Sequence, residues 1–198
     1  MTIDVLLALV GFAFVTSITP GPNNLMLMAS GANYGMRRTL PHALGVGCGF
    51  VVLAAAMGLG LGALFHAAPY ARPTLTGLAA LYMLWLAWRI ATAAPPREGA
   101  AGGRPLSFLQ AAGFQWVNPK AWMMAIGAMT VYAPGGQWRQ VAVVALVFGA
   151  VNLPSVGTWA FAGTRLRRVL TNPVRLRAFD WTMAALLVAS LWPIAADL

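Results

Sequence analysis

Six long apolar stretches run along the chain, at about residues 3–30, 40–65, 75–94, 108–131, 141–163 and 178–194, separated by short polar segments. A bilayer-spanning helix needs roughly 20 mainly apolar residues, so this pattern predicts an all-α integral membrane protein with six transmembrane helices. The first and fourth stretches differ from the rest because proline interrupts them. Thr19-Pro20-Gly21-Pro22-Asn23-Asn24 breaks the first, and Asn118-Pro119-Lys120 breaks the fourth. Proline removes a backbone donor and clashes with the preceding turn, which frees polar backbone groups at membrane depth. Lipid offers such groups no partner, and they are tolerated where they line a cavity or are buried in protein. Matching breaks in two halves of a membrane chain point to a transporter's binding site.

The polar segments punctuate the chain as loops should. Pro69 and Pro73 flank the second loop, Pro95-Pro96 and Gly102-Gly103 mark the third, and Pro134-Gly135-Gly136 turn the fourth. Residues 95–105 form a linker, dividing a single domain, 1–198, into halves of three spans each at about 1–94 and 106–198. Three is odd, so the second half enters the membrane from the opposite side and an internal repeat must be inverted. The breaks lie about 17 residues into the first span and about 11 into the fourth, so the register between halves is approximate.

Composition agrees with this pattern. The chain is 60% hydrophobic and 9% charged, against roughly 25% charged in an ordinary soluble domain. A net charge of +9 would suit a nucleic-acid partner, but the basic residues sit between apolar runs, so nucleic acid is excluded. Ten arginines (37, 38, 89, 97, 104, 165, 167, 168, 175 and 177) fall in or beside loops one, three and five, against Arg72 and Arg139 in the alternate loops. Loops one, three and five are therefore expected in the cytoplasm. Both termini then lie outside, with Asp4 and Asp197 at the outer face. The N-terminus carries an acid and no basic residue, so the first stretch is expected to be a retained span and not a secretory signal. Cys48, the single cysteine, is expected to be a small packed side chain.

Several polar residues interrupt the apolar background. Thr19, Asn23 and Asn24 stand where lipid-facing positions would carry Leu or Val. Gly21 permits unusual backbone angles, and Pro22 suits the first residue of a new half-helix whose free N–H groups attract a carboxylate. The competing reading is a packing kink capped by the asparagines. Lys120 is the sharpest residue: near the bilayer centre its charge costs at least ~2.5–3.5 kcal/mol and needs a partner or an aqueous cavity. It either meets a substrate carboxylate, carries a proton or snorkels to an interface. Asp180 opens the sixth span, as a site residue or a helix-terminal anion. Asn152 and Pro154 predict a local opening of the fifth span, or a simple kink. Glycines at 45, 47, 49, 58, 60 and 62 form small-residue stripes for close helix packing. Trp85, Trp88, Trp138 and Trp192 lie near span ends, as an interfacial belt requires, whereas Trp116 and Trp122 suit the core. His42 and His66, both near span ends, form no nucleophilic or metal-ligating motif, so no enzyme and no cofactor are expected.

At these residues the chain resembles the LysE/RhtB family of bacterial amino-acid exporters. The likeness rests on Thr19-Pro20-Gly21-Pro22-Asn23, the glycine-rich second span after Arg37-Arg38, and Phe114-Gln115-Trp116-Val117-Asn118-Pro119-Lys120-Ala121, in the order and spacing of nearly the full chain. The resemblance implies secondary active export of amino acids or small zwitterionic derivatives across the inner membrane, driven by an ion gradient. It implies a small amino-acid substrate, the lipid bilayer and a coupling ion (first of all a proton) as partners, with a homodimer among the allowed assemblies. Family members of this type often carry an acid late in the first long span or in the second. Residues 33–65 have none here, which argues against basic amino acids as substrates. The alternative is a passive channel or ion carrier on the same scaffold, although the interior lacks the acidic rings of a cation pore.

Overall fold

The computed structural model describes residues 1–61, 70–93 and 103–192, which are almost wholly helical and contain no strand. Most of the expected linker, at 94–102, lies outside the described residues, as do His66, Glu98 and Asp197. Helix α1 (Ile3–Ile18) starts at an N-cap, Thr2, and stops at Thr19. Helix α2 (Pro22–Tyr34) follows after three residues, Thr19, Pro20 and Gly21, and the pair is bent by 56°. Helix α3 (Met36–Ala56) runs on through a wide π turn, Met57–Leu61, where Gly60 takes a φ of +108° that only glycine adopts without strain. Helix α4 spans Ala71–Ala91. Helix α5 (Phe108–Phe114) opens with a reciprocal Ser107–Gln110 capping box and tightens into a 3-10 turn, Gln115–Val117. Helices α6 (Pro119–Tyr132), α7 (Trp138–Arg167) and α8 (Pro173–Ala189) complete the order.

Helices α6 and α8 start by the same device. Asn118 and Asn172 each take an extended backbone and accept, through the side chain, the N–H two residues on, from Lys120 at 3.2 Å and Val174 at 2.8 Å. Proline follows at the first helical position, where its missing donor costs nothing. The start of α8 at Pro173 places Asp180 well inside the helix. Asp180 is therefore not the helix-terminal anion that its position in the apolar run suggested.

By length and composition two helical segments, Met36–Leu61 and Trp138–Arg167, can each cross a bilayer, and the bent pair α1–α2 is long and apolar enough for a third if it is one broken span. The others are split or shorter, and α8 carries Arg175, Arg177 and Asp180 in its first half. Helix α7 is the central strut, packed against α1, α2 and α3, while α3 also covers α5 and α4 lies against α8. The α2–α7 crossing is backbone-close. A Cβ on Gly31 would collide with the main chain at Ala160, and one on Gly163 with the main chain at Met28. Gly45 and Gly49 let α3 approach the backbone of Phe108 and Ala112 in the same way, while Gly47 meets Leu153 of α7. Gly45, Gly47, Gly49 and Gly58 thus sit at close contacts as the stripe pattern predicted, whereas a Cβ on Gly60 would meet nothing within 4 Å and Gly62 lies outside the described residues.

Two expectations are corrected. Helix α7 runs unbroken through Pro154, whose ring faces outward, so the predicted opening of that span does not occur. Pro154 lacks the N–H that Ala150 O would accept, and beside it Ser155 Oγ donates to Val151 O at 2.7 Å. Cys48 is exposed, not packed: its neighbours Gly47 and Gly49 face α7 and α5, which turns the intervening residue outward. Much of the outer surface is apolar, with Phe14, Leu81, Leu109, Val131, Leu146 and Leu186 exposed, as a lipid-facing surface requires. Trp85, Trp88, Trp138 and Trp192 are all exposed, whereas Trp116 and Trp122 pack against the core cluster around Phe50, Ala125 and Phe148.

Candidate functional site

A helix that stops inside a membrane leaves its last four carbonyls without intrahelical partners. In α1 each of the four is satisfied from a different source. Val15 O accepts the Thr19 N–H at 3.3 Å, and Thr16 O accepts the Thr19 hydroxyl at 3.1 Å. Ser17 O accepts from Asn24 Nδ2 at 2.8 Å, and Ile18 O accepts from Trp159 Nε1 of α7 at 3.0 Å. Asn24 Nδ2 also donates to Thr19 O at 2.8 Å. The break is thus capped by α2 and α7, and Asn24 performs the capping role that the sequence allowed for it.

Lys120 completes the arrangement from the other half of the chain. Its ammonium donates to Thr19 O at 2.8 Å, Thr19 Oγ1 at 2.9 Å and Pro20 O at 3.2 Å. The charge sits against the negative end of the α1 dipole, which favours a cation there. The contact is possible because residue 21 is glycine: a Cβ would come within 2.7 Å of Lys120 Cδ. Among the described residues no acid holds this lysine; backbone carbonyls and a hydroxyl do.

A second link runs the opposite way. Asn23 of α2 and Gln115, just before the second break, pair through both amide groups, Nδ2 to Oε1 at 2.8 Å and Nε2 to Oδ1 at 3.1 Å. Gln115 Nε2 also donates to Ala111 O at 2.9 Å, and the residue is fully buried. The second residue of each new half-helix, Asn23 after Pro22 and Lys120 after Pro119, therefore reaches across to the opposite break.

The two breaks enclose one cavity with α3 and α7. Gly21, Asn23, Asn24, Asn118 and Lys120 line it, with Ser17 and Asn152 on the α1 and α7 sides and Phe50, Met124 and Val156 as apolar wall. Asn152 is buried; its Nδ2 donates to Ser17 Oγ at 3.1 Å, and its Oδ1 has no partner. The open space is about 20 Å³, room for a water or two, since one water needs roughly 10–15 Å³. The space is too small for an amino acid.

Of the residues singled out from the sequence, Gly21, Asn23, Asn24, Asn118, Lys120 and Asn152 meet at this cavity. Thr19 and Pro20 bind the lysine, and Pro22 and Pro119 start the two half-helices. Pro154 and Asp180 lie elsewhere. Asp180 is buried beside the other end of α2, where it accepts from Asn33 Nδ2 at 2.6 Å. Sequence reasoning missed Ser17, Gln115 and Trp159. Gln115 offered a signal, as an amide four residues before a membrane proline; Ser17 and Trp159 become legible only once α1 and α7 are side by side.

The described residues hold no group of three or more His, Cys, Asp or Glu that could bind a metal ion. Comparison with known proteins matches residues 14–191 to the LysE type translocator family. A Klebsiella pneumoniae cysteine/O-acetylserine efflux protein is 31% identical over 195 residues, covering 95% of each chain. Proteins of the same name from Escherichia coli K12 and Shigella sonnei are each 32% identical over 178 residues, covering 85% of this chain and 87% of theirs. No solved structure matches.

Proposed function

The chain belongs to the LysE type translocator family, whose members are transporters and not enzymes, and from that premise we propose that it exports small zwitterionic amino acids through the cavity between its two proline breaks. The observation that carries this reading is the convergence of both breaks, one lysine and a half-satisfied buried asparagine on a single cavity. The N-termini of α2 and α6 present free backbone donors and the positive ends of two dipoles there, as a carboxylate requires. Lys120 supplies a mobile positive charge, and Asn152 Oδ1 an acceptor for an ammonium group. No carboxylate lines the cavity, which suits a substrate without a second positive charge. Cysteine and O-acetylserine, named for the relatives, have this chemistry, and O-acetyl-L-serine is the first substrate to test.

In this account the six apolar stretches are six spans in two inverted halves. The reciprocal links of Asn23 and Lys120 support the repeat, as do the contacts of α3 with α7 and of α4 with α8, the corresponding helices of the two halves. Opening requires Lys120 to leave the Thr19 and Pro20 oxygens, and a substrate carboxylate is the natural replacement. Export against a gradient needs coupling to an ion, taken here as a proton, with the arginine-rich loops in the cytoplasm and both termini outside. Counterflow distinguishes this carrier from a passive channel. Vesicles preloaded with O-acetyl-L-serine are expected to accumulate the labelled compound transiently and to show no ion conductance. Conductance without counterflow would contradict the proposal.

A further inference from the structure

Helix α2 carries a second polar cluster at its far end, ten residues from Asn23 and so roughly 15 Å along the axis. A cavity of about 50 Å³ lies there between α2, α3, α4 and the segment before α5. Its polar lining is Ser30, Asn33, Tyr34, His42, Arg89 and Arg104. One water needs roughly 10–15 Å³ on this measure, so the space takes a few waters or the head group of a small amino acid.

Two side chains of this wall are almost wholly buried and only half satisfied. His42, 1% exposed, has Nδ1 3.1 Å from Ser30 Oγ and nothing on Nε2. Asn33, 2% exposed, donates through Nδ2 to Ala29 O at 3.0 Å and to Asp180 Oδ1 at 2.6 Å, while its Oδ1 has no partner. Buried polar atoms normally find partners, and those left over need an explanation, of which a water or bound group entering the cavity is one. At the mouth, Arg89 is half-buried: its guanidinium stacks over Trp85 at 5.1 Å and donates to Arg104 O at 3.2 Å. That contact uses one of five donors and leaves a fork for a carboxylate. Arg104 is exposed beside it.

We propose that this cavity is a loading site for the exported amino acid on the arginine-rich, cytoplasmic side, distinct from the central cavity and reached before it. Arg89 and Arg104 take the carboxylate, Asn33 Oδ1 with Asp180 behind it takes the ammonium, and His42 Nε2 bonds a polar side-chain atom. Helix α2 then lines the whole inward path, from Asn33 to Asn23. The inference rests on the exporter reading and assigns it an entrance.

The test is uptake of labelled O-acetyl-L-serine into inside-out vesicles, whose outer surface is the cytoplasmic face. Arg89→Gln is expected to raise the KM about tenfold with the maximal rate largely kept, as loss of one charge-assisted contact should. Arg89→Lys should recover part of the loss. The methyl ester of the substrate, which lacks the carboxylate, should compete poorly with wild type. Arg104→Gln, on a segment outside any helix, gives a second variant that does not burden folding and should also raise the KM. Wild-type KM values in both glutamine variants at normal membrane levels would overturn the loading site and leave the exporter reading standing. Absence of uptake by the wild-type protein would instead overturn the exporter reading, and this inference with it.

Discussion

The ammonium of Lys120 is held by three oxygens of the opposite half, and the space it needs exists because residue 21 has no Cβ. Gly21→Ala places a methyl within 2.7 Å of Lys120 Cδ. The far end of a lysine can swing aside, so the protein should reach the membrane while its transport rate falls at least about tenfold, the effect of one charge-assisted contact. Vesicle uptake alongside an immunoblot checks this. Asn24 has a different role, since it holds two carbonyls of the α1 terminus. Asn24→Ala should destabilise the protein by about 1–3 kcal/mol, read as a lower thermal unfolding temperature in detergent. The sequence placed both residues at a break but not in their separate roles. Which of two adjacent asparagines caps and which reaches across depends on the 56° bend, and that bend is a property of the folded pair.

At the scale of elements, the breaks and the small-residue stripes were legible because proline and glycine act locally. The capping box of α5, the π turn after Ala56 and the early start of α8 were not, and the last of these misplaced Asp180. An apolar run shows where a helix meets lipid, whereas Asn172-Pro173 shows where its backbone begins. Pro154 failed the other way: a proline at membrane depth implied an opening or a kink, yet the helix runs on through it. The α2–α7 crossing allows a test of packing. Leucine at Gly31 or Gly163 drives a side chain into the partner's main chain, which cannot yield as a flexible side chain does. Each variant should lose about 1–3 kcal/mol of stability or fail to accumulate, whereas leucine at Gly11, where a Cβ would meet nothing within 4 Å, should be tolerated. Thermal unfolding of the purified variants compares them directly.

Across the whole molecule, the arginine distribution and the two matched breaks combine into one mechanism. Ten arginines fall in or beside loops one, three and five against two in the alternate loops, and on the orientation proposed from this bias, reporter fusions in loops one, three and five should be active only in forms that read the cytoplasm. Asn23 and Lys120 each bond across to the opposite break, and in the proposed mechanism these links hold two antiparallel halves together. On that proposal, exchanging them for a substrate's own charges lets the halves rock apart. The substrate's side chain was illegible because the polar groups lining the cavity, if it is the transport site, suit a zwitterionic head and say nothing of a side chain. The central claim is that the paired breaks and Lys120 form the transport site, and the most direct test is the initial rate of O-acetyl-L-serine uptake into inside-out vesicles. At equal protein in the membrane, Lys120→Ala and Asn118→Ala are each expected to fall to the rate of empty vesicles. Wild-type rates in both variants would contradict the account.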